Sequence, residues 1–144
     1  VYGLDTVSLR YFNVYGERMS LEGAYKLAIP IFADQMLKGK QLTINNDGEQ
    51  RRDFTYVEDV VNANILASTN PEDLKGEAFN IGNGDNYSVN ELADMLGGKK
   101  SYGNKVIEPF QTLADNSKAD LILNWKPKGS LPTWIKKYKK ELGI

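Results

Sequence analysis

Two adjacent arginines, Arg51 and Arg52, are the side chains here whose type and setting best suit ligand chemistry. They lie in the stretch Asn46 to Asp59, NDGEQRRDFTYVED. Asn46-Asp47-Gly48 is a turn signal, because these residue types tolerate left-handed backbone. Gln50 to Tyr56 alternates charged with aromatic side chains, which predicts a short strand. Glu58 and Asp59 then open a helix, since acids in a first turn face the positive end of the helix dipole. An arginine between a tight turn and a helix start has two uses. It can pair with Asp53 and be structural, or it can grip an anion through its planar fork. Local chemistry leaves both open and leans slightly toward the pairing.

Other groups offer less. Gly82-Asn83-Gly84 lacks the third glycine of a dinucleotide fingerprint and reads as a strand-to-helix turn. Asp115-Asn116-Ser117-Lys118 reads as a helix cap, with a Ser-Lys pair the chemical alternative. Tyr11, Tyr15, Tyr25 and Tyr56 read as core or rim aromatics. Tyr25 and Lys26 are neighbours and point apart, so they make a poor acid–base dyad. The lysines of 126–140 interleave with Trp134, Ile135 and Tyr138, the pattern of a solvated helix face. These observations assign no catalytic residue and no metal ligand.

Composition narrows the classes. The chain has 144 residues, 41% hydrophobic and 26% charged, as expected of a globular domain with one ordinary core. A net charge of −1 gives no general attraction to nucleic acid or to an anionic membrane surface. There is no cysteine and no histidine, so disulfides, thiolate nucleophiles, histidine bases and the commonest zinc ligands are excluded. No apolar run reaches the roughly 18 residues of a membrane span. VYGLDTVSLRYF does not read as a signal peptide, and a cytoplasmic location is the expectation. That start has no initiator Met and enters a strand almost at once, which suggests a piece of a longer protein.

The elements that must position the arginines follow in order. Thr6 to Phe12 alternates, with Val7, Leu9 and Tyr11 on one face, and predicts a strand. Asn13 to Glu22 reads as a loop. Pro30 suits a helix start; Ile31, Phe32, Gln35 and Met36 recur at helical spacing, and Gly39 stops the helix. Leu42 to Ile44 is a short strand. Val57, Val60, Val61 and Ile65 predict an amphipathic helix closed by Asn70-Pro71. Glu77 to Ile81 is a strand. Ser88-Val89-Asn90-Glu91 is a capping box opening a helix that buries Val89, Leu92 and Leu96 and ends at Gly97. Lys105 to Glu108 predicts another strand, and Ser117 caps a short helix to Leu123. Pro132 opens a last helix with Leu131, Ile135, Tyr138 and Leu142 on one stripe. The whole is mixed α and β with short connections.

Several segments, in order, resemble one family. They are RYFNVYG at Arg10 to Gly16, IPIF at Ile29 to Phe32, LTI at Leu42 to Ile44, DGEQRRDFTYVEDV at Asp47 to Val60, FNIGNG at Phe79 to Gly84, ADNSKA at Ala114 to Ala119 and LNWKP at Leu123 to Pro127. Together they look like the C-terminal part of the extended short-chain dehydrogenase/reductases, and more narrowly of the NAD-dependent nucleotide-sugar epimerase/dehydratase group. The implied fold class is α/β: a C-terminal substrate lobe plus the last sheet strands of an extended Rossmann-type enzyme, without the main dinucleotide-binding half. Residues 1–16 would be a residual Rossmann strand and loop, and residues 17–144 the substrate-binding lobe with interleaved sheet elements. The Gly-rich NAD turn and the Tyr-x-x-x-Lys dyad of such enzymes are not in this sequence. The resemblance therefore implies NAD held mainly by another half, and no activity from this chain alone.

Residue by residue, the resemblance places Asn13 and Arg52 at the diphosphate of a nucleotide sugar. Ala28, Thr43 and Asn45 match positions around the uridine, and Phe54 an aromatic close to the nucleoside. Tyr11 and Phe12 match positions near the nicotinamide. With that context Arg52 is expected to bind ligand, and Arg51, on the other side by alternation, to face solvent. One departure stands out. Family members carry an Arg-x-Gly-Asp/Glu segment with a second phosphate-binding arginine; here Val106 to Asp115, VIEPFQTLAD, is shorter and has no arginine. Lys105 is the nearest substitute. The expected partner is a nucleotide sugar, with no nucleic acid or membrane, and with homo-oligomerisation open. Two alternatives stand beside the epimerase: a dehydratase or reductase of the same family, and a non-enzymatic binding module.

Overall fold

The computed structural model describes residues 3–20 and 27–144. Tyr25 and Lys26 lie outside them. In chain order the elements are β1 (Ser8–Tyr11), β2 (Val14–Tyr15), α1 (Ala28–Leu37), β3 (Leu42–Ile44), β4 (Arg51–Arg52), β5 (Thr55–Tyr56) and α2 (Val57–Ser68). Then come β6 (Ala78–Ile81), β7 (Tyr87–Ser88), α3 (Val89–Leu96), β8 (Lys100–Tyr102), α4 (Ser117–Leu123) and α5 (Leu131–Leu142). Contacts divide the chain into two compact units. One is Val1–Gly16, Asp53–Asp85 and Leu113–Gly129; the other is Glu17–Arg52, Asn86–Thr112 and Ser130–Ile144.

In the first unit β1 and β6 pair in parallel, with Ser8 opposite Ala78 and Tyr11 opposite Ile81. β2 and β5 pair in parallel as well. The stretch expected to be loop after Asn13 thus includes a strand, and Tyr15 within it is 1% exposed, its ring 5.5 Å from that of Tyr56. The core gathers Val60, Ala63 and Ala67 of α2, Phe79 and Ile81 of β6, and Trp125. Burying a side chain the size of Phe79 or Ile81, both 0% exposed, contributes about 1.5–3 kcal/mol. The apolar stripe expected on α2 is partly wrong. Val61 and Ile65 are 52% and 54% exposed, and the inward positions are taken by alanines instead. Small side chains on that face occupy little room between helix and core, and residue size, not apolarity alone, sets the buried face.

Two buried carboxylates fasten this unit. Asp53 is 0% exposed, and it accepts the backbone N–H groups of Asn83 at 2.7 Å and of Gly84 and Ala114 at 3.0 Å. Asp59, in the first turn of α2, accepts the N–H groups of Lys128 at 3.0 Å and Gly129 at 2.8 Å, while its carbonyl accepts the Trp125 indole N–H. The single strand expected from Gln50 to Tyr56 is broken here. β4 and β5 each have two residues, because Asp53 turns inward to serve donors far away in sequence.

In the second unit β3 pairs with β8 in parallel and β4 with β7 antiparallel. The further strand is Lys100–Tyr102, and Lys105 to Glu108 is irregular, against expectation. Parallel pairing to β3, which starts with Leu42 opposite Lys100, selects the earlier residues. Helix α3 packs against α1, β3 and α5. Its capping box forms as expected: Glu91 N–H donates to Ser88 Oγ at 3.0 Å and Ser88 N–H to the Glu91 carboxylate at 2.7 Å. Leu92, Ala93 and Leu96 are fully buried, and Gly97 ends the helix with φ 89. On α1 the buried positions are Ile29, Pro30, Phe32 and Ala33, with Ile31 and Met36 only half-buried. α5 buries Leu131, Trp134 and Ile135, and Trp134 stacks on Tyr138 at 4.6 Å. Among the described residues no helix is long and apolar enough to cross a membrane.

Candidate functional site

The turn and the short strand place the two arginines differently. Asn46 adopts φ 54 and Gly48 φ 78, the left-handed backbone that Asn and Gly tolerate, and this turns the chain from β3 toward β4. Arg52 is held as an acid-paired, mostly buried cation. Its Nη2 donates to the Glu108 carboxylate at 2.5 Å and its Nη1 to the Arg51 carbonyl at 2.8 Å. Only 16% of its side chain is exposed, against 28% for Glu108. The other oxygen of Glu108 accepts the side-chain amides of Asn46 at 3.1 Å and Gln50 at 3.2 Å. Gln50 also donates to the Asn45 carbonyl at 3.1 Å. The local Arg–Asp53 pairing is not the one made.

Arg51 does not simply face solvent. Its Nε donates to the Asn86 side chain at 2.8 Å, and its Nη2 donates to the Asn86 carbonyl and pairs with Glu91, each at 2.9 Å. Arg51 is the structural arginine, tying β4 to the start of α3. Alternation did send the two side chains apart, but the far side is occupied by protein.

The uridine-side positions fall in the same unit as Arg52. Thr43 and Asn45 alternate with buried Leu42 and Ile44, so both lie on the exposed face of β3 and its extension. Gln35 of α1 brackets Thr43, donating to its Oγ1 at 3.1 Å and accepting its N–H at 3.0 Å. Ala28 opens α1 and is half-buried. Arg52 and Asn45 are joined through Gln50 and Glu108. Lys105 is exposed.

The remaining positions belong to the first unit. Asn13 has φ 24, its side chain donates to the Asp53 carbonyl at 2.9 Å, and its carbonyl accepts the Thr55 N–H at 3.3 Å. Phe54 is 5% exposed. Phe12 is half-buried and follows β1, its N–H donating to the Ile81 carbonyl. Tyr11 is 49% exposed, and its hydroxyl donates to Asn64 at 3.0 Å. A cavity of about 340 Å³, lined by Tyr56, Glu58, Asp59, Asn62, Lys128 and Gly129, contains none of the expected site residues.

The turn at Gly82 to Gly84 tests one cofactor role directly. Its Asn83 and Gly84 N–H groups, which could cradle a phosphate, are spent on the Asp53 carboxylate. A Cβ on Gly82 would come within 2.3 Å of the Ala114 side chain. This turn does not fit a dinucleotide pyrophosphate. The Ser117–Lys118 alternative also gives way: the Ser117 hydroxyl donates to Asp115 at 2.6 Å, and Lys118 is bound to Glu77 and to the Ala78 carbonyl. Ser117 does not cap α4: the N-cap position is Asn116, whose side chain makes no capping bond, and Asp115 before it accepts the Ser117 N–H at 3.1 Å. Among the described residues no cluster of acids could hold a metal ion. Sequence reasoning missed Glu108 and Gln50. Gln50 lay inside the quoted stretch, but nothing near Glu108 in sequence points to Arg52.

The chain thus combines an α/β arrangement of parallel strand pairs with an acid-held arginine after a tight turn. The sequence profile of the NAD dependent epimerase/dehydratase family matches residues 1–82, and the chain belongs to that family. It is 40% identical over 144 aligned positions to a putative UDP-glucose 4-epimerase of Methanocaldococcus jannaschii, covering 95% of this chain and 45% of that protein. Among solved structures it is similar to UDP-glucuronic acid 4-epimerase from Bacillus cereus in complex with UDP-glucuronic acid and NAD. There the TM-score is 0.85 at 36% identity, over 96% of this chain and 46% of that one. The UDP-glucose 4-epimerase of Thermotoga maritima with UDP-glucose gives a TM-score of 0.83 at 36% identity, over 98% of this chain and 48% of that one. The chain thus spans about half the length of the relatives it matches.

Proposed function

We propose that this chain is the nucleotide-sugar-binding portion of an NAD-dependent epimerase, with a UDP-sugar as ligand. The observation that carries the reading is the Arg52 guanidinium, mostly buried and held against a single acid after the Asn46 turn. Once that acid is displaced, the planar guanidinium is a strong partner for a diphosphate, which presents concentrated charge and several acceptor oxygens. Thr43, Asn45 and Ala28 surround the uridine in this reading. Asn13 contributes to holding the diphosphate, and Phe54 lies close to the nucleoside. Tyr11 and Phe12 lie near the nicotinamide. NAD, when bound, supplies hydride transfer, oxidising a sugar carbon and then re-reducing it. Arg52 and its neighbours bind and orient the sugar nucleotide for that exchange.

The 144-residue chain by itself is expected to turn over no nucleotide sugar. It is also expected to self-associate. β1 pairs with β6 along one edge, and Tyr11, Val61 and Ile65 of the same unit expose apolar surface. A clean monomer by light scattering at high concentration would contradict this. Calorimetric titration with UDP-glucose, UDP and NAD tests the main reading. UDP-glucose and UDP should bind, and NAD should bind far more weakly. Absence of UDP binding would overturn the claim that this chain carries the nucleotide site.

A further inference from the structure

We infer that Glu108 is an internal counter-anion, which occupies Arg52 and lowers the affinity of any anionic ligand that must displace it. The inference rests on the reading of Arg52 as the phosphate-binding residue.

The carboxylate is held in place from several sides. One oxygen meets Arg52 at 2.5 Å, and the other accepts amide donors from Asn46 and Gln50. Gln50 is 5% exposed and spends its amide N–H on this carboxylate and on the Asn45 carbonyl, while its own carbonyl oxygen is buried without a partner. An unpaired buried acceptor costs free energy, so the cluster is organised around the Glu108 charge even at the expense of Gln50. The backbone pins the segment that carries Glu108 on both flanks. Asn46 N–H donates to the Asn104 carbonyl at 3.0 Å and Val106 N–H to Asn46 Oδ1 at 3.0 Å. Beyond Glu108, Arg51 N–H donates to the Phe110 carbonyl at 2.7 Å and Thr112 N–H to the Arg51 carbonyl at 3.0 Å.

Glu108 is therefore presented to Arg52 as a tethered anion, at an effective concentration on the order of millimolar or above. A phosphate must come from dilute solution and take Arg52 from this tethered carboxylate. Every ligand that does so bears the same displacement cost, so Glu108 sets how tightly the Arg52 site holds anionic ligands as a group.

The test is titration of the whole chain and its Glu108→Gln variant with UDP and with UMP. Removing the charge while keeping the size should tighten UDP and UMP alike, each roughly tenfold. Weaker or unchanged binding of both nucleotides would overturn the inference. If Glu108→Gln fails to fold, Glu108→Asp, whose shorter side chain pulls back from Arg52, should shift UMP in the same direction, and a loss of affinity there overturns it equally. Arg52→Ala in the same titrations separates the two claims. If it leaves UDP affinity unchanged, the reading of Arg52 falls and this inference with it. If it removes UDP binding while Glu108→Gln brings no gain, only the inference falls.

Discussion

The carboxylate of Asp53 accepts the backbone N–H of Asn83 at 2.7 Å across 30 residues of sequence, and it also accepts the Gly84 and Ala114 N–H groups. A fully buried charge is tolerated only when its acceptor sites are filled in this way. Asp53→Ala would leave three donors without that acceptor. The expected cost is about 3 kcal/mol or more, read as a lower urea midpoint. Asp53→Asn keeps one acceptor and should cost less. Equal stability of Asp53→Ala and the parent would show that these bonds do not hold the unit.

Gly129 is a second point where the fold leaves no room. A Cβ there would lie 2.3 Å from Tyr56 Cβ and 3.0 Å from the Asp59 carboxylate, which accepts the Gly129 N–H. Gly129→Ala should cost about 1–3 kcal/mol through overpacking, seen as a fall in Tm. Gly103→Ala is the control, since its Cβ would meet nothing closer than 3.5 Å. Equal effects from the two substitutions would contradict the packing described.

Acid sensitivity should arise in part at the start of β6. Glu77 is held below the ordinary glutamate range, first by the hydrogen bond from Lys118 and then by that ammonium's charge. Asp115 is lowered in the same sense, first by the Ser117 hydroxyl and then by its N–H. A depressed folded value means that the unfolded chain protonates first as pH falls. The contribution is complete above the unfolded range and is lost as pH drops through the folded one. Glu77→Gln should therefore lower the urea midpoint at neutral pH, and the difference should shrink as pH falls below the ordinary glutamate range. A difference of the same size at neutral and at acid pH would contradict the assignment.

Local signals in the sequence translated well. The Ser88–Glu91 capping box, the Asn46–Gly48 turn, strand Leu42–Ile44 and the helix stop at Gly97 each depend on residues a few positions apart. The failures share a cause. Gln50 to Tyr56 reads as one strand until Asp53 is seen to bind N–H groups some 30 and 61 residues away. Val61 and Ile65 look like core because apolarity at helical spacing does not reveal that Ala63 and Ala67 take the inward face. Arg52 was singled out, but its acid partner is 56 residues on, in a stretch that looked like a strand. Periodicity encodes local form, whereas long-range polar pairing is decided by topology.

Binding of a nucleotide diphosphate through Arg52 is the central claim, and calorimetric titration of the parent and Arg52→Ala chains with UDP-glucose tests it most directly. Losing a charge-assisted contact should cost about 1.5–3 kcal/mol, or roughly 10- to 150-fold in affinity. UDP-glucose bound equally well by both chains would contradict the account.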